Sequence, residues 1–293
     1  MTSVTAARRK LALSRFWAEF RHHRAGIAGM AVLAAAVVLA LIAPLFIDES
    51  VTGVVDAPGE KFDAPSLAFP FGTDESGRSI LLMVWWGSRT SLLIGFLAAL
   101  LSIVIGLVVG VAAGHFRGWL SGVLMRVTDW FLVLPSLVTA LVLAAILGGS
   151  TFTIILAIGI TTWPSTARLI RAQTLAVEAR PYIERSKALG GGHWHITTRH
   201  VLPNVAPLLL ASTTLEVASA IVTESTLAFL GASSNKTSWG YMLRSSYDFG
   251  AATAGAWWYI LIPGLAILVV VMAFTLVGRA LEAVLNPRLR RSA

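Results

Sequence analysis

Residues 25–47, AGIAGMAVLAAAVVLALIAPLFI, run for 23 positions without a charge. A helix of that length rises about 35 Å, enough to cross a hydrocarbon core of about 30 Å. In lipid every backbone N–H and C=O must find a partner within the chain, so the run has to be helical. Further apolar runs fall at 90–114, 124–147, 152–169, 205–231 and 257–281. The expectation is an all-α integral membrane protein with six transmembrane helices. Only 13% of residues are charged, against about a quarter in soluble domains, which points the same way.

The first run exceeds a typical signal-peptide core and no small-x-small cleavage site follows it, so it reads as a retained span. With the N-terminus in the cytoplasm, 18 of the 23 Lys and Arg residues fall on the inner side. Only Lys61, Arg78, Arg89, Lys236 and Arg244 fall outside. The positive-inside rule then places both termini in the cytoplasm. The net charge of +8 is therefore a topology signal, and no nucleic-acid partner is expected. The chain divides into a basic amphipathic arm (1–24), the first helix (25–47), an extracytoplasmic loop (48–88), a core of five helices (89–282) and a cytoplasmic tail (283–293). The arm mixes Leu, Phe and Trp with Arg and His, a pattern suited to the lipid headgroup layer. Gly106, Gly110 and Gly114 form a stripe at four-residue spacing that lets helices approach closely, with packing inside the chain expected.

The inner loop at about 176–204 is strongly polar. Helix formers follow Pro181, and Gly190-Gly191-Gly192 ends that helix. A second short helix is expected over His193–Val201, stopped by Pro203. Two short helices with a sharp bend, projecting from the membrane, suit contact with another protein.

Here the chain resembles the cytoplasmic loop of ABC importer permeases, whose pattern is Glu-Ala-Ala, three residues, Gly, nine residues, Ile, one residue, Leu-Pro. Glu184, Gly190, Leu202 and Pro203 match in register; Arg185 and Ser186 stand for the alanines and His200 for Ile. FPFGTDESGRSILLMVWWGSRTSLLIG (69–95), TESTLAFLGASSNKTSWGYML (223–243) and ALEAVLNPRLR (280–290) are similar to segments of dipeptide, oligopeptide and nickel permeases. The long arm and first span resemble the C-type member of the permease pair. Together these stretches, with the arm and first span, cover roughly residues 15–291. The resemblance implies a type I importer permease fold and half of a translocation path for peptides. It also implies ATPase coupling through Glu184, Ala188, Leu189, Gly190, Leu202 and Pro203. Implied partners are a second, B-type permease, two ATPase subunits or one fused ATPase, an extracytoplasmic solute-binding protein and the lipid bilayer of a bacterial inner membrane. Import of nickel or another small solute is the alternative within the family.

No lysine follows glycine, so the phosphate-cradling Gly-Lys-Ser/Thr loop is missing. No cofactor bound by this chain is expected; ATP and Mg belong to the partner subunits, and the chain is not itself an enzyme. The chain contains no cysteine, which excludes disulfides and thiolate chemistry. His193, His195 and His200 invite a metal reading, but no carboxylate neighbours them in sequence. Two other classes compete: a self-contained secondary transporter, which needs an inverted repeat, and an intramembrane enzyme, which needs converging catalytic groups. Glu216 and Glu224 lie within the fifth run, eight residues apart and expected on nearly one face. Intramembrane carboxylates are costly and face a cavity or a partner. Glu216 is the substrate-path candidate, against a structural hydrogen bond. Asp129 lies near the inner start of the third run, and the acidic outer loop is a candidate receptor contact.

Overall fold

The computed structural model describes residues 16–48, 53–54 and 57–285. Its long helices are α1 (Arg24–Phe46), α2 (Ile80–His115), α5 (Thr151–Glu178), α8 (Leu202–Phe229) and α10 (Trp257–Leu285). Between them lie α3 (Trp119–Val133), α4 (Ser136–Leu147), α6 (Pro181–Ala188), α7 (His193–Ile196) and α9 (Trp239–Asp248). No strand occurs among the described residues, and one isolated bridge joins Thr73 to Ser79. The C-terminal ALEAVLNPRLR motif lies outside the described residues from position 286 onward, as do the arm up to position 15 and Glu49 and Asp56 of the outer loop.

The expected third span is not one helix. α3 and α4 meet at 89°. Pro135 caps α4, and Leu134 before it is extended, at ψ 131°, because a proline ring pushes its predecessor out of the helical region. With 15 and 12 residues, the two pieces rise about 22 and 18 Å, each less than the bilayer core. The described residues thus contain five membrane-length helices, and six spans only when the bent pair counts as one.

α2 and α5 form the central pair, and the glycine stripe explains why. A Cβ on Gly106 would lie 2.7 Å from Thr166 Cβ, one on Gly110 2.6 Å from the Ala167 carbonyl, and one on Gly114 2.6 Å from Thr174 Cβ. Only hydrogen fits at each contact, so the backbones meet. α10 packs on α8 and α1 on α10, with Gly29 against the Ala273 carbonyl. Of the arm, Phe16–Phe20 is described and helical. Phe20 is fully buried with Ala280 and Val284 at the C-terminal end of α10.

The motif over 69–79, between α1 and α2, is a folded clasp. Asp74 accepts the backbone N–H groups of Ser76 and Arg78, each at 2.9 Å, and the Arg78 Nε–H at 2.6 Å. Burial pushes the Asp74 carboxyl up, and the Arg78 guanidinium pulls it down. Trp258 Nε1 donates to the Thr73 carbonyl at 3.2 Å, and Ser245 Oγ to Glu75 Oε1 at 2.9 Å. These bonds tie the loop to α9 and α10.

Candidate functional site: the inner loop and the intramembrane carboxylates

The polar loop between α5 and α8 is built on a buried floor. Ile183 of α6 and Ile196 of α7 are buried with Val111, Ile170, Val177 and Val201. Pro181 takes the first turn of α6, where a missing N–H costs nothing. Gly190 follows with φ +84°, a left-handed conformation that glycine adopts freely, and its position opens on empty space. With Ile183 turned inward, Glu184, Ala188 and Leu189 are exposed. Leu189 is 82% and Trp194 81% exposed, the most exposed large hydrophobic side chains of the loop. Beside them Tyr182, Arg185, Leu189, Gly190, His195 and His200 line a concavity of about 530 Å³.

Leu202 and Pro203 stand apart from this knob, at the start of α8. Pro203 does not stop a helix there. Residues Thr197–Val201 form a π-helical turn, with the Leu202 N–H reaching back to the Thr197 carbonyl, and the chain runs on into α8. The wider turn absorbs the register change around a proline that cannot donate, and Asn204 Nδ2 donates to the His200 carbonyl at 2.7 Å.

The three loop histidines diverge. His195 packs edge-on to His200, which also faces Tyr182. His193 instead meets His115 at the end of α2, with Nδ1 2.8 Å from Nε2. His115 Nδ1 lies 2.6 Å from Glu178 Oε1, and Lys187 Nζ donates to Glu178 Oε2 at 2.8 Å. A carboxylate thus adjoins the loop after all, brought from the end of α5. Among the described residues no group of three or more His, Cys, Asp or Glu could hold a metal ion.

Glu216 and Glu224 occupy different environments. Eight residues at about 100° each leave roughly 80° between them, so they do not share a face. Glu224 is fully buried, accepts from Ser225 Oγ at 3.3 Å, and its Oε1 has no hydrogen-bond partner. The segment 223–243 closes round it: Trp239 donates its backbone N–H to Ser91 Oγ at 3.2 Å and its indole N–H to the Val84 carbonyl at 2.9 Å. Glu216 is half-buried and accepts from Ser102 Oγ of α2 at 2.9 Å. It belongs to a polar stripe on α8, Ser212, Glu216, Ser219, Thr223 and Thr226, none of which is buried. Asp129 pairs with Arg168 of α5 at 2.6 Å, with both side chains about half exposed.

Sequence reasoning missed Trp194, the polar stripe and the Lys187–Glu178–His115–His193 chain. A tryptophan between two histidines in a polar loop was the available signal for the first, and the spacing of hydroxyls about Glu216 for the second. The third joins residues 63 and 78 apart in sequence, with no local pattern to mark it.

Residues 102–291 match the family described as "Binding-protein-dependent transport system inner membrane component". Residues 12–58 match the "N-terminal TM domain of oligopeptide transport permease C". Similar proteins include the dipeptide transport system permease protein DppC of Bacillus subtilis, 33% identical over 94% of this chain and 85% of that one. The di/tripeptide transport system permease protein DppC of Pseudomonas aeruginosa is 33% identical over 96% and 94%. The dipeptide transport system permease protein DppC of Escherichia coli is 36% identical over 95% and 94%. Matched along nearly its whole length, the chain belongs to the binding-protein-dependent transport system inner membrane components, as a C-type peptide ABC permease.

Proposed function

We propose that this chain forms half of a translocation path for dipeptides or oligopeptides and takes up ATP-driven motion through the knob that carries Glu184, Ala188, Leu189 and Gly190. One observation carries the reading: two large apolar side chains, Leu189 and Trp194, are about four-fifths exposed on a loop whose floor is buried. Exposed apolar anchors on a rigid support are what a partner groove recognises. The partners are a B-type permease, two ATPase subunits or one fused ATPase that bind ATP and Mg, and an extracytoplasmic solute-binding protein. The assembly sits in a bacterial inner membrane with both termini of this chain in the cytoplasm.

The path itself follows α8. Lipid-facing stripes are apolar, whereas Ser212, Glu216, Ser219, Thr223 and Thr226 present hydroxyls and a carboxylate at helical spacing. A peptide amino terminus suits Glu216. The names of the relatives favour peptide over nickel as the solute.

Co-purification tests the reading. An ATPase should accompany the wild-type chain in stoichiometric amount, and Leu189→Asp combined with Trp194→Asp should lose it while the permease still inserts. Undiminished ATPase in that double variant refutes docking at the knob. A wild-type chain that transports with no ATPase would instead favour a secondary transporter.

A further inference from the structure

We infer that Lys187, Glu178, His115 and His193 form a transmission clamp, with His115 the positioning residue that fastens both flanks of the coupling turn to the membrane helices. The inference rests on the knob's being the ATPase contact and adds how its motion reaches the membrane.

Lys187 precedes and His193 follows the Gly190–Gly192 turn, so each flank of the turn carries one end of the chain of contacts. From one flank Lys187 Nζ reaches Glu178 Oε2 at 2.8 Å, on the last residue of α5. From the other, His193 Nδ1 meets His115 Nε2 at 2.8 Å, on the last residue of α2. The two halves close where His115 Nδ1 meets Glu178 Oε1 at 2.6 Å. The junction is protected: the His115 side chain is 3% and the Glu178 side chain 6% exposed, while Lys187 is 48% exposed.

The protons leave little freedom. An ionised carboxylate only accepts, so His115 donates from Nδ1 to Glu178. Two ring nitrogens 2.8 Å apart need one proton between them. Either His193 donates to a neutral His115, or a doubly protonated His115 donates to both neighbours. In each case Glu178 holds donors from two elements, and removing either leaves a buried carboxylate undersatisfied.

A turn of three glycines would bend rather than push if it were held at one side only. Gly114, the last of the stripe, puts α2 backbone-close to α5 one residue before His115, so the clamp grips the helix pair beside a close backbone contact. A displacement of the knob therefore moves α2 and α5 together.

The test uses the intact transporter in proteoliposomes and reads ATP hydrolysed per peptide imported, with co-purified ATPase as the assembly control. His115→Ala should raise that ratio about tenfold, within the range that coupling between sites spans, with ATPase still bound. His115→Gln, whose amide can still donate to Glu178, should restore part of the loss. Lys187→Ala and His193→Ala alter exposed side chains and keep the test valid if His115→Ala misfolds; each should raise the ratio severalfold. An unchanged ratio in both overturns the clamp. A second readout does not depend on the ATPase. The chain has no cysteine, so one spin label at Leu189→Cys reports the rigidity of the turn. The label should become more mobile in His193→Ala and in Lys187→Ala. Unaltered mobility overturns the clamp even where no ATPase is found, an outcome that would separately sink the docking reading.

Discussion

Gly110→Ala adds one methyl group in the middle of the α2–α5 backbone contact. Its Cβ would lie 2.6 Å from the Ala167 carbonyl oxygen, 2.8 Å from Ile170 Cβ and 3.0 Å from Ile170 Cγ2. Ordinary carbon contacts need about 3.5–4.0 Å. The helices must part by the better part of an ångström, because a backbone oxygen and a β-branched side chain cannot swing aside. Overpacking of this kind costs about 1–3 kcal/mol, and replacing a helical glycine by alanine returns at most about 1 kcal/mol. At the middle of the first range and with the full return, the net loss is about 1 kcal/mol, a fall of a few degrees in melting temperature in detergent. Gly122 of α3 supplies the opposite case, since nothing lies within 4 Å of a Cβ there. Gly122→Ala should keep the propensity gain and melt at or above wild type. Both melts, followed by tryptophan fluorescence, check the reasoning. If Gly110→Ala is as stable as wild type, the α2–α5 backbone contact is not what holds the pair.

Glu216→Gln should reduce uptake of peptides with a free amino terminus and spare ATPase assembly, while Glu216→Leu, which leaves Ser102 without its acceptor, should also lower detergent stability by about 1–3 kcal/mol; unaltered uptake in Glu216→Gln refutes the path reading. Gly190→Trp should raise ATP consumed per peptide with insertion intact, because the position opens on empty space; a wild-type uptake rate in that variant would show that the turn does not dock. A reporter after Pro287 should be cytoplasmic and one at Ser234 external, and an external C-terminus would mean an odd number of spans.

The membrane helices were legible because lipid leaves few alternatives: a charge-free run of 23 residues has to be a helix, and its length does the rest. The glycine stripe was legible for a similar reason, since four-residue spacing puts small residues on one face. The bend at Pro135 was not. Pro44, Pro164, Pro207 and Pro263 all lie inside helices without ending them, so proline alone does not mark a break. What sets Pro135 apart is the extended Leu134 before it, the conformation a proline favours in its predecessor, which the other four helices override. Pro203 misled in the opposite sense, since a π-helical turn accommodates it. For Glu216 and Glu224 the spacing suggested one face, but an 80° offset, small on a helical wheel, separates a half-buried carboxylate from a fully buried one.

α2 joins these sites along one element. Its 36 residues contain no proline, whereas α1, α5, α8 and α10 each hold one inside the helix. Small residues recur every four positions at Ser102, Gly106, Gly110 and Gly114. The first of them donates to Glu216, the others meet α5, and His115 follows directly. From Ser102 to His115 the helix climbs about 20 Å. A proline-free helix locked to its neighbour through backbone contact has no hinge over that distance. On the proposed reading, displacement delivered at His115 must therefore arrive at the Ser102–Glu216 bond rather than dissipate on the way. The π-helical turn gives the route back a different character: α8 reaches the loop through Thr197–Val201, where the helix changes register. On that reading the uninterrupted arm and the arm broken by the π-helical turn both start at the loop and meet at Glu216. Motion of the knob would thus change the strain across that bond, and the carboxylate's hold on a peptide amine would vary with the state of the ATPases.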